Sequence, residues 1–136
     1  MSWAELRELD DAGWEVGSHT VSHPDLTSID RATAAVELRR SREVCEQELG
    51  RRCASIAYPF GAWNRAVVEE AAAAGYEYGV TLGTRLLEPL SATGPLAIPR
   101  DGVFGTTRPW QFRLATSATI RRLRAMGAFS PRAMPA

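Results

Sequence analysis

Between Trp3 and Leu82 the apolar pattern changes period repeatedly, from helical spacing to near-alternation and back, with glycine or proline at most of the changes. A chain that alternates helix and strand in this way builds parallel strands joined by helical crossovers. Residues 2–12 place Trp3, Leu6 and Leu9 on one helical face, and Gly13 is a stop signal. Residues 14–18 alternate and predict a short strand. Residues 19–27 hold Pro24 and small polar residues, the composition of a loop or a single helical turn.

Ser28 or Asp30 caps the next expected helix, which runs to about Leu49 and ends at Gly50. Ala32, Ala35, Val36, Leu38, Val44 and Leu49 are its expected buried side; Arg39, Arg40, Arg42, Glu43, Glu46 and Glu48 its solvated one. Residues 54–58 read as a strand stopped by Pro59. A helix opened by Asn64 follows and ends at Gly75, and residues 76–82 form another strand. Residues 83–97 read as a loop and 97–100 as a brief strand. Residues 110–126 are expected to form a last helix anchored by Phe112, Leu114, Ile120 and Leu123. The pattern divides the chain into one α/β domain, 1–128, and a flexible tail, 129–136, with two prolines. Three or four strands are too few to close a barrel.

Sixteen arginines balance sixteen acidic residues, so the chain lacks the bulk positive charge of a nucleic-acid binder. No apolar run is long enough to span a bilayer, and the first residues lack the pattern of a signal peptide. Localisation is therefore left open. Cys45 and Cys53 form no C-x-x-C pair. They read as small apolar residues, with a disulfide between them also compatible with the spacing.

The only two histidines, His19 and His23, lie four residues apart in one loop directly after an expected strand. Loops at the carboxyl ends of parallel strands are where α/β proteins place their sites. Neutral imidazole is a common metal ligand, and Ser18, Thr20 and Ser22 add hydroxyls able to orient such ligands. Spacing alone leaves two readings open: a pair of metal ligands, or two surface histidines in a turn.

Residues 17–26, Gly-Ser-His-Thr-Val-Ser-His-Pro-Asp-Leu, closely resemble the H-[ST]-x-x-H motif of the polysaccharide deacetylase family, the NodB-homology esterases. Tyr58-Pro59-Phe60-Gly61 resembles that family's later motif ending in P-[YF]-G, one helix and one strand downstream. The resemblance covers roughly residues 3–82. It implies an incomplete part of a distorted (β/α) barrel of the glycoside hydrolase/deacetylase type. It also implies a divalent metal, most often zinc, held by His19 and His23. Further, it implies hydrolysis of N-acetyl, or sometimes O-acetyl, groups on polysaccharides or oligosaccharides, a reaction at carbon–nitrogen bonds other than peptides. Phe60 matches the position whose backbone N–H helps form the family's oxyanion hole, Pro59 would fix that loop, and Phe60 and Trp63 would line the sugar groove.

The resemblance is incomplete in four places. No T-F-D-D segment, the family's source of the general base and a third metal ligand, occurs here. Asp10-Asp11 is the only adjacent aspartate pair and reads as a solvated helix end. The arginine expected two residues before Pro59 is Ala57, and no histidine follows His23 to act as general acid. Asp101 follows a strand, but Trp110 is too distant for the family's D-x-x-x-W pattern. No catalytic base or acid is therefore assigned. These absences give two expectations besides a working deacetylase: a carbohydrate-binding pseudoenzyme, or the truncated remnant of a longer domain. A truncated domain would expose apolar faces of its first strand and helix and so invite self-association.

Overall fold

A computed structural model describes residues 1–82, 94–100, 102–103, 105–117 and 119. Among the described residues seven regular elements follow one another: α1 (Trp3–Asp11), α2 (Arg31–Leu49), β1 (Ser55–Ala57), α3 (Arg65–Ala73), β2 (Tyr78–Leu82), β3 (Ile98–Arg100) and α4 (Pro109–Thr116). Short 3-10 turns at Pro59–Gly61 and Pro95–Ala97 lead into α3 and β3. The strands form one parallel sheet in the order β1-β2-β3. In register, Ile56 lies beside Gly79, and Val80 beside Ile98. The α/β class and parallel pairing expected from the alternating pattern are thus what the chain forms.

The helix ends follow local chemistry. Ser2 and Glu5 make a reciprocal capping box at the start of α1. Asp30 caps α2 by accepting from the Thr33 N–H at 3.0 Å, and Gly50 closes that helix in the left-handed conformation. Asn64 caps α3 through the Val67 N–H at 2.9 Å.

The core lies where α2 and α3 meet the sheet, with Leu26, Leu38, Ile56, Tyr58, Val67 and Tyr76 buried there. Two buried phenols keep partners. The Tyr58 hydroxyl donates to the Leu96 carbonyl at 2.8 Å, and the Tyr76 hydroxyl to the Leu38 carbonyl at 3.0 Å. Burial pushes both phenols above the ordinary tyrosine range. Cys45 and Cys53 are free and buried in this core.

Several sequence expectations need correction. Residues 14–18 form no strand; Ser18 alone bridges to Ile56, in parallel. Trp14 is mostly exposed, so the alternation does not mark a buried face there. On α2 the buried side is Ala34, Leu38, Ser41 and Cys45, whereas Ala32 and Val36 are exposed. The spacing of four, three and four keeps that stripe on one face, and two of its members are small residues that apolarity alone does not pick out. Arg42, assigned to the solvated side, is half-buried and donates to the Cys53 and Ala74 carbonyls at 3.2 and 3.1 Å. Phe112 and Leu114 on α4 are largely exposed instead of serving as anchors. The expected continuation of that helix, with Ile120 and Leu123, lies outside the described residues, as do Asp101, most of the 83–97 loop and the 129–136 tail.

Candidate metal site

Ser18 locks the approach to the histidines. Its N–H donates to the Ser55 carbonyl and its carbonyl accepts from the Ala57 N–H, both at 2.9 Å. The next residue, His19, therefore emerges at the end of β1. Its Nδ1 lies 2.7 Å from the Ala57 carbonyl oxygen. A carbonyl only accepts, so the ring nitrogen must carry the proton. The Nε2 of the neutral ring then holds the free lone pair, the arrangement in which histidine binds a metal.

The loop turns His23 back toward His19. Thr20 and His23 both have positive φ, 67° and 58°. That region is costly for residues with a Cβ, and more so for a β-branched one. The His23 N–H donates to Thr20 Oγ1 at 3.1 Å, which closes the turn. The two imidazole rings meet with centroids 4.7 Å apart and planes at 71°. Leu26, three residues after His23, is buried in the core and holds the far end of the loop.

Phe60 completes this surface. It lies in the 3-10 turn after β1 with φ 58°, followed by Gly61 with φ 66°. The turn is closed by the Gly61 and Ala62 N–H groups, which donate to the Tyr58 and Pro59 carbonyls at 2.9 and 3.0 Å. A Cβ on Gly61 would stand 2.1 Å from the Leu82 backbone nitrogen, so the position requires glycine. The exposed Phe60 ring also meets His23, with centroids 4.8 Å apart and planes at 71°. Pro59 is buried beneath the turn.

The sites expected from sequence thus divide. His19, His23 and Phe60 come together as one exposed row of rings. Trp63 is partly buried and packs against the core. An open cleft of about 450 Å³ runs from His19 along the sheet past Ala57, Tyr78 and Val80 to Arg100, and neither Phe60 nor Trp63 lines it. Asp10 pairs with Arg51, and Arg52 with Glu77, so these groups are engaged with one another instead of with the histidines. The Asp25 carboxylate accepts from the Thr27 hydroxyl and N–H, at 2.6 and 2.9 Å, and these bonds hold it below the usual carboxylate range. Among the described residues no group of three or more His, Cys, Asp or Glu side chains converges as a metal site.

One residue of this site escaped the sequence reading. Glu37, on α2, accepts from the Val21 and Ser22 N–H groups at 2.8 and 3.0 Å and from the Ser22 hydroxyl at 2.7 Å. Its sequence signal was weak, because one glutamate among many on a charged helix looks solvated. Partial burial raises its pKa, but the donors from Ser22 and Val21 outweigh that and hold it below the ordinary range.

The family profile described as polysaccharide deacetylase matches residues 1–79. The chain belongs to the polysaccharide deacetylase family. Among solved structures it is similar to the deacetylase PplD of Streptococcus pyogenes in complex with acetate, with TM-score 0.71 and 25% identity. That likeness covers 82% of this chain and 49% of PplD. A polysaccharide deacetylase from Bacillus cereus gives TM-score 0.68 and 32% identity, over 82% of this chain and 35% of that one. YxkH of Bacillus subtilis is 26% identical over 77 residues, 57% of this chain and 28% of YxkH. The chain therefore spans about half or less of the length of each of these relatives. Its three-stranded parallel sheet corresponds to an incomplete portion of the distorted barrel found in the deacetylase fold.

Proposed function

We propose that this chain is the metal-binding portion of a hydrolase that removes acetyl groups from N-acetylated, or O-acetylated, polysaccharides, with His19 and His23 as ligands of a divalent metal, zinc by preference. One observation carries the reading: two imidazoles 4.7 Å apart, the first with Nδ1 committed to the Ala57 carbonyl, which leaves the lone pair on its Nε2. Neutral nitrogen donors of this kind suit zinc. They fit two positions of a site that needs further oxygen donors, from water or carboxylate. When bound, the metal supplies Lewis acidity, polarising an acetyl carbonyl and making water nucleophilic near neutral pH.

The chain's own residues have distinct parts in this reading. The Ala57 carbonyl orients His19. The left-handed turn at Phe60 and Gly61, backed by buried Pro59, presents the Phe60 N–H as a donor for the developing oxyanion. The exposed Phe60 ring offers an apolar face to a sugar beside the histidines. Trp63, partly buried against the core, would line the sugar groove with the part of its ring left accessible.

A second reading has its own support. The described residues bring no third ligand group to the histidines, and a general base and acid each contribute about 100- to 10,000-fold to such reactions. A module that binds metal and sugar without turnover would keep the features present here. Acetate release from N-acetylglucosamine oligomers, with zinc and with a chelator, separates the two. Zinc-dependent release that disappears in His19→Ala supports hydrolysis. Zinc-dependent oligomer binding without release supports the binding module, and the absence of both zinc-dependent release and zinc-dependent binding refutes both readings.

A further inference from the structure

We infer that Glu37 is the positioning residue of the two-histidine site, holding the loop from Thr20 to His23 in the strained conformation that brings the imidazoles together. The inference rests on the metal-binding reading of His19 and His23 and assigns a role to a residue that touches neither ring.

Glu37 sits one residue before Leu38, which is fully buried, so its Cα is fixed by the core packing of α2. Its carboxylate reaches across to the tip of the loop. Oε2 accepts from two successive N–H groups, Val21 at 2.8 Å and Ser22 at 3.0 Å, and Oε1 accepts from the Ser22 hydroxyl at 2.7 Å. The next N–H, that of His23, is taken by Thr20 Oγ1 at 3.1 Å. Three consecutive backbone donors thus point at side-chain oxygens.

These bonds lie between the two positive-φ residues, Thr20 and His23. Such a conformation persists only where surrounding contacts over-determine it. Charge-assisted bonds to backbone N–H groups are among the stronger contacts available at a surface. Without them Val21, Ser22 and His23 face solvent with little packing, since all three are exposed. The turn would then relax toward ordinary φ values, and the His23 ring would leave His19 and Phe60. Outer groups that orient metal ligands typically change affinity 10- to 100-fold when lost.

The test compares zinc affinity by calorimetry in the wild-type chain, Glu37→Gln and Ser22→Ala, each checked for folding by circular dichroism. Glutamine keeps the shape but removes the charge and one acceptor oxygen. The expected result is zinc binding about 10- to 100-fold weaker in Glu37→Gln, with a smaller loss in Ser22→Ala. Amide exchange at Val21 and Ser22 should accelerate in Glu37→Gln. A purely structural role would lower the melting temperature while leaving zinc affinity within twofold in the folded variant, and that result overturns the inference alone. If Glu37→Gln does not fold, unchanged affinity in folded Ser22→Ala overturns it. A wild-type chain that binds no zinc overturns both this inference and the metal reading beneath it.

Discussion

The Nδ1 of His19 and the carbonyl oxygen of Ala57 stand 2.7 Å apart, so the last residue of β1 selects which ring nitrogen the first histidine turns outward. In free histidine the proton is not held on one nitrogen by a fixed partner; here it is. Long-range proton–nitrogen NMR of the metal-free chain near pH 8 should find neutral His19 protonated at Nδ1. A ring protonated mainly at Nε2 would remove the basis for its orientation.

Leu26 ties the histidine loop to the core and is almost fully buried. Leu26→Ala removes a side chain from a packed site and should destabilise the chain by about 2–4 kcal/mol. Urea unfolding measures this. A loss under roughly 1 kcal/mol would mean that the loop is held by its polar contacts alone.

The turn after β1 depends on Gly61. A Cβ there meets the Leu82 backbone, and the positive φ adds its own strain. Gly61→Ala is expected to cost about 2–3 kcal/mol and to disturb the Phe60 contact with His23. Equal stability of the variant in urea would show that β2 can yield at Leu82.

Acid should weaken the fold through the cap of α2. The Thr33 hydroxyl and then its N–H hold the Asp30 carboxyl below its ordinary pKa. A depressed folded-state pKa contributes stability above the unfolded value and loses it as pH falls through the folded value. Unfolding free energy should therefore decline below about pH 4, the ordinary aspartate range. Asp30→Asn retains a capping oxygen without the titration and should flatten that decline. An identical acid profile in both proteins would assign the loss to other carboxylates.

Much of this was legible in the residues. Helix ends announced themselves through Asp30, Gly50 and Asn64, because capping is decided within a few residues. The histidine pair and the Pro-Phe-Gly turn were legible because their chemistry is local. What depended on distant packing was not. The buried stripe of α2 runs through Ser41 and Cys45, which become core only because Tyr76 and Cys53 arrive opposite them. Trp63 is partly buried against the core, a packing contact that its place in the sequence does not announce. Glu37 acquires its partners from a loop 15 residues earlier, a relation that no helical periodicity encodes.

The most direct test of the account is a calorimetric zinc titration of the intact chain beside His19→Ala and His23→Ala. The account predicts one ion bound with a dissociation constant on the order of micromolar or tighter, with that binding lost in both variants. No binding, or binding indifferent to both histidines, would contradict it.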